Sequence, residues 1–295
     1  MQSDESTGWL RPTVNSRNII SPLLRRALVD RASTPPALLS PETVATLQSG
    51  AIAAMEGAPH PYHNAVHVRR VLERVRELSR VASLSPLDTQ LLELGAAFHD
   101  FGHAGNTYRQ LVPSAPRNDL SNEEFAALAA DEAVATYLAP CQRRALQGLI
   151  LATSFGQGDP EGIPAAIRAT AYRPYRPVTV LEKLLAFADV SNALVSVEMF
   201  DGESAAVAAE GGLAALPGSM DEYFRRQLSF LQFVRARLEA IAASLGCSSA
   251  AHFEAEIAAA ERFIEPCVGH AARGGATEMG RVYNRLAEER TGTRS

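Results

Sequence analysis

Between positions 64 and 82 the apolar residues Val68, Val71, Leu72, Val75 and Leu78 return every three or four places, which is the period of an amphipathic helix. Arg69, Glu73, Arg76 and Glu77 fall on the other side as a solvated face. Similar spacing recurs along most of the 295-residue chain, and almost no stretch alternates with the period of two that a half-buried strand requires. Sheet architectures are therefore disfavoured, and the expectation is an all-α fold of about ten helices or more packed around one core.

Punctuation sharpens this reading. Ser40-Pro41-Glu42 opens a helix that runs to Gly57, with serine as the cap and proline in the first turn. Ser85-Pro86 opens another through Leu91, Leu92, Leu94, Ala96 and Ala97, apolar almost all round as a buried central helix should be. Residues 19–32, 119–138, 141–153, 178–197, 220–245, 248–264 and 276–290 also read as helices. Residues 106–119, with Pro113 and Pro116, read as a loop at the mouth of a site, and 156–177 as a longer irregular connection. Residues 1–16 carry no period and predict a disordered tail, leaving 17–292 as one helical domain.

Charge narrows the partners. The net charge is −5 and Lys183 is the sole lysine, so the chain lacks the basic footprint of a protein that binds a nucleic-acid polymer. Cys141, Cys247 and Cys267 are odd in number and widely spaced, which fits a reducing compartment better than a disulfide framework. No apolar run approaches the length of a membrane span. A soluble, cytoplasmic protein with no membrane partner is expected.

Five of the seven histidines lie between positions 60 and 103. Two anchors hold four of them at a spacing of four, His63-Asn64-Ala65-Val66-His67 and His99-Asp100-Phe101-Gly102-His103. On a helix this spacing puts both rings of a pair on one face, about 6 Å apart. Imidazole and carboxylate together suit Zn²⁺, Mn²⁺ or Mg²⁺, and an aspartate beside a ligand histidine can give one oxygen to each of two ions. A further aspartate, Asp189, stands among Leu184, Leu185, Phe187 and Val190, where a carboxylate needs a partner; a cation is the obvious one.

Taken in order, His63-Asn64-x-x-His67, His99-Asp100-x-x-His103, Ala188-Asp189-Val190-Ser191-Asn192 and Gln227-x-x-Phe230 resemble the catalytic domain of the class I 3',5'-cyclic nucleotide phosphodiesterases, within the HD superfamily. The likeness spans about residues 60 to 240, with smaller echoes at Asn118-Asp119 ahead of Glu124 and at Leu151-Ala152-Thr153. It implies a compact HD/PDEase-like bundle with a metal site at its centre. By resemblance, His67, His99, Asp100 and Asp189 hold one ion, Zn²⁺, and Asp100 also reaches a second, Mg²⁺ or Mn²⁺. His63 is then the general acid, Glu124 or its neighbour Glu123 holds His63 or orients the nucleophile, and His103 fixes the floor of the site. Gln227 and Phe230 would read and stack a purine, with Asn192 and Tyr62 as further pocket residues. The implied activity is hydrolysis of the 3' ester bond of cAMP or cGMP to the 5'-monophosphate.

The chain also departs from that pattern. Val68-Arg69-Arg70-Val71 stands where the family has Ala-x-Asp-Val, and Ser154 stands where it has the aspartate of Ala-Thr-Asp. The interval from Asp189 to Gln227 is shorter than usual, so the second wall of the base clamp has no placed residue. Two alternatives therefore stand beside the cyclic-nucleotide reading: an HD-type phosphohydrolase of a linear nucleotide, and a non-catalytic cyclic-nucleotide sensor.

Overall fold

A computed structural model describes residues 37–103, 121–154, 177–245 and 250–292. The predicted tail, the 19–32 helix, the 106–119 loop and all but the last residue of the 156–177 connection lie outside the described residues, as does Cys247. The described residues form an all-α bundle of eleven α-helices with no strand among them. These are α1 Pro41–Glu56, α2 Ala65–Val81, α3 Pro86–Phe98, α4 Asn122–Val134, α5 Pro140–Leu151 and α6 Val180–Ser191, then α7 Val197–Ala215, α8 Met220–Leu245, α9 Ala250–Ile264, α10 Ala271–Gly274 and α11 Glu278–Thr291. Short 3₁₀ turns at Phe101–His103 and Asn192–Val195 follow α3 and α6.

Local chemistry starts these helices where the sequence suggested. Ser40 and Ser85 cap α1 and α3 through their side-chain oxygens, each followed by proline. Asn64, the residue between the first two anchor positions, caps α2 by accepting the N–H groups of Val66 and His67. That cap begins the helix after His63, so the first histidine pair does not share one helix as expected. His99 likewise closes α3 as its C-cap, and His103 ends the following 3₁₀ turn. The 178–197 segment divides for a related reason: Asn192 ends α6 by donating its side-chain amide to the Asp189 carbonyl.

Helices α2, α3 and α6 pack against one another at the middle of the bundle, with α1 and α5 on α3 and with α5 and α8 on α6. Gly95 on α3 permits the closest approach. A methyl group there would sit 2.9 Å from a terminal methyl of Leu185 on α6. One turn beyond this contact α3 delivers His99 and α6 delivers Asp189, so the close approach sets the distance between two site residues. Gly102 has a similar task, since a Cβ there would collide with the Asn122 backbone at the start of α4.

A second tie runs through Arg74, two turns beyond His67 on α2 and 2% exposed. Its Nε donates to Ser191 Oγ of α6 at 3.1 Å, and its other nitrogens reach Glu77 and, on α9, Glu256. The guanidinium lies 4.6 Å from the Phe253 ring centre. Helix α7, which the sequence reading left unassigned, is held by α11: Asp201 accepts the N–H groups of Glu278 and Met279, and Arg290 donates to the carbonyls of Leu213 and Leu216. None of the described helices is long and apolar enough to cross a membrane.

Candidate metal centre

Four side-chain atoms from the three central helices and the turn after α3 converge on one point. His67 Nε2 lies 3.1 Å from Asp189 Oδ1, 3.3 Å from His99 Nε2 and 3.4 Å from Asp100 Oδ2. His99 Nε2 lies 3.3 Å from Asp100 Oδ2 and 3.5 Å from Asp189 Oδ1. All four residues are buried. These are five of the six edges of a tetrahedron, and a regular one with edges of this length has its corners about 2.0 Å from its centre, the bond length of a small divalent ion to imidazole nitrogen or carboxylate oxygen. Asp100 Oδ2 is buried without a hydrogen-bond donor of its own, as an oxygen awaiting a cation would be. His67, His99 and Asp189 form a buried cluster able to hold a metal ion.

Supporting contacts fix the rings. His99 Nδ1 donates to the Ala96 carbonyl at 2.8 Å, which turns Nε2 inward. The Tyr62 ring packs on the His67 ring with centroids 4.4 Å apart. Burial opposes charge on His99, yet Asp100 and Asp189 outweigh it and bring its pKa up to about 9. For Asp189 burial is likewise outweighed, by His67 and His99, and its pKa is held well below the usual carboxylate range. Asp100 is lowered against burial too, by His99 first and then by the other imidazoles.

The other two anchor histidines form an outer layer. His63 and His103 stack face to face, with centroids 3.9 Å apart and planes 5° from parallel. Their ligand atoms and one of Asp100 lie within 4.8 Å of one another, so Asp100 stands between the inner cluster and this pair. Burial, opposed by Asp100 and reinforced by His63, pushes His103 down to about 4, and its ring contacts the Asn122 side-chain amide. His63 moves the other way: burial is overcome by Asp100, Glu210 and Asp189, and its pKa is raised.

The group that holds His63 is Glu210 of α7, not Glu124. Glu210 Oε1 lies 2.5 Å from His63 Nδ1, while Oε2 accepts the backbone N–H groups of Tyr62 and His63 at 3.0 and 3.1 Å. Burial of the Glu210 carboxyl is outweighed by these contacts, and its pKa falls to about 2. Glu124 instead completes a capping box with Ser121, its carboxylate accepting Ser121 N–H at 2.9 Å. The pKa of its neighbour Glu123 is raised by burial and, less, by Asp100 and Asp189. Nothing in the sequence marked Glu210, which stands 147 positions from His63 in an alanine- and glycine-rich helix.

The expected base-recognition residues are less engaged. Gln227 and Phe230 share a face of α8, but Gln227 Oε1 accepts from Ser204 Oγ at 3.4 Å and Phe230 lies 6.4 Å from Phe233, centre to centre. Neither contacts the four ligand residues among the described contacts. Asn192 is buried and works as a local brace of the Asp189 turn, its amide nitrogen committed to a carbonyl and its Oδ1 without a partner. Arg70, where the resembled family has an acid, pairs with the buried Glu203 of α7 at 2.5 Å. Scans against protein-family models, curated proteins and solved structures each returned no match to this chain.

Proposed function

We propose that this protein is a metal-dependent phosphodiesterase that opens the 3' ester bond of a 3',5'-cyclic nucleotide, cAMP or cGMP, to give the 5'-monophosphate. The observation that carries the reading is the meeting of His67 and His99, 3.3 Å apart at their Nε2 atoms, with Asp100 and Asp189 each within 3.1 to 3.5 Å of both rings, beside a histidine left out of that cluster and held by a carboxylate. Zn²⁺ suits the inner four, and Asp100 would share a second ion, Mg²⁺ or Mn²⁺. Bound there, such ions lower the pKa of water and neutralise phosphate oxygens.

The protein's own residues supply the rest. His63, with its pKa raised and Nδ1 fixed by Glu210, offers its other ring nitrogen as a proton donor. Water oxygen bonds to phosphorus and gives up a proton to solvent, the bond from phosphorus to the 3' oxygen breaks, and His63 protonates that oxygen before regaining a proton from solvent. His103, neutral because its pKa is near 4, can stack on a protonated His63 without a second charge. Glu123 would take a hydrogen bond from the incoming water. The test is hydrolysis of cAMP and cGMP by purified protein, with and without chelator and beside Asp189→Ala. Chelator and substitution should each abolish turnover; turnover that survives both rejects the reading.

A further inference from the structure

The stacked histidine pair outside the inner cluster has the makings of a second metal site. His63, Asp100 and His103 each offer a ligand atom, and the three atoms lie within 4.8 Å of one another. Bonds of about 2.0–2.1 Å hold two donor atoms at most about 4 Å apart, so this set is open by less than about 1 Å. Asp100 belongs to both clusters, since its Oδ2 also lies 3.4 Å from His67 Nε2 and 3.3 Å from His99 Nε2. A carboxylate so placed can give one oxygen to each of two ions.

The support around His63 is of the kind that metal-binding histidines have. Such a histidine commonly gives the proton on one ring nitrogen to a carboxylate or carbonyl and turns the other nitrogen toward the ion. Glu210 Oε1 stands 2.5 Å from His63 Nδ1, so the nitrogen left for an ion is Nε2. The inner ligand His99 is arranged alike, with Nδ1 on the Ala96 carbonyl. His103 is the less tightly held ring of the pair among the described contacts: the Asn122 amide lies 3.0 Å from its Nε2, and the His60 ring meets it edge-on with centroids 5.7 Å apart. The His63 and His103 rings lie parallel, 3.9 Å apart, and parallel rings aim their lone pairs side by side. A turn of His103 brings both nitrogens onto one ion.

Ligand chemistry decides which ion enters. Mg²⁺ favours oxygen and water and leaves imidazole alone, whereas Zn²⁺ and Ni²⁺ take imidazole together with carboxylate. We propose that His63, Asp100 and His103 form an outer site for a borderline divalent ion such as Zn²⁺, and that filling it silences the centre by capping His63 Nε2. The outer site stands on the cluster geometry; the silencing rests on the function proposed above, in which that nitrogen gives up a proton. Zinc then has two opposed effects on one protein, since a first ion completes the inner cluster and a second shuts it.

The test is titration of metal-free full-length protein with zinc against a chromophoric chelator, with turnover of cAMP and cGMP followed in Mg²⁺ as the second equivalent is added. Wild type should take up two ions, the second more weakly, and turnover should fall as the second binds. His103→Gln should keep the tight ion and bind the other more than about tenfold more weakly, and whatever turnover it has should need correspondingly more zinc to be halved. His63→Gln, read by zinc binding alone, should lose the same second ion and covers the case in which His103→Gln does not fold. Asp189→Ala should lose the tight ion instead. A single ion in wild type overturns the proposal, as does a second ion that either histidine variant binds equally well, which is then a surface ion. Full turnover with both ions bound overturns the silencing. Two ions in a protein that hydrolyses no cyclic nucleotide support the outer site and sink the function proposed above, whereas steady turnover with one ion at every zinc concentration sinks the outer site alone.

Discussion

Glu210 grips His63 from the far end of another helix, with one carboxylate oxygen 2.5 Å from the ring Nδ1 and the other on two backbone N–H groups of the same segment. The grip fixes the ring and its tautomer together and leaves the opposite nitrogen outside it.

If His63 delivers a proton, Glu210→Gln should lower kcat on the order of a hundredfold, shift the alkaline limb of the pH–rate profile to lower pH, and leave zinc affinity unchanged. The shift follows from losing a carboxylate that helps to raise the His63 pKa. An unchanged pH profile would show that Glu210 only braces the backbone.

Glu124→Ala gives the converse result. Its carboxylate caps its own helix, so the loss should be about 1 kcal/mol of stability by denaturant unfolding, with turnover and metal content intact. A collapse of activity in a folded Glu124→Ala protein would restore the catalytic part that the sequence suggested.

The metal-free protein should have a stability window with two edges. His99 is raised to about 9 from the usual 6.5, so its contribution is complete below about 6.5 and is lost as pH climbs through 9. Asp100 and Asp189 are lowered, so their contribution is present above about 4 and is lost on acidification. Melts in chelator should therefore fall between pH 7 and 9.5, and a bound divalent ion should remove that alkaline loss. A flat profile over this range in chelator would contradict the arrangement of charges.

Arg74→Met should cost about 3–5 kcal/mol, because Glu256 and Glu77 lose their cation and Ser191 its donor at the seam of α2, α6 and α9. Unfolding in urea measures it. A loss below about 1 kcal/mol would mean that the network is solvated.

Much of this was legible in the chain. Helix starts followed from Ser40, Ser85 and the apolar period of α2, because caps and periodicity are local. Asp189 announced itself by its apolar neighbours. The sorting of the histidines was not legible: spacing pairs His63 with His67 and His99 with His103, whereas the fold pairs His67 with His99 inside and His63 with His103 outside. The cause is the Asn64 cap, which starts α2 at Ala65, two residues past His63. Helix α7 and its Glu210 escaped because an alanine- and glycine-rich segment shows no apolar stripe, and a pairing across 147 positions leaves no local trace. The change from an expected acid to Arg70 looked like a defect in the sequence, and the fold answers it with Glu203.

Zinc titration of metal-free protein against a chromophoric chelator, comparing wild type with Asp189→Ala, tests the central claim most directly. Wild type should take up zinc tightly, and the variant should lose more than the roughly hundredfold that removing a merely supporting residue costs. Equal zinc affinity in the two proteins would contradict a shared ion among His67, His99, Asp100 and Asp189.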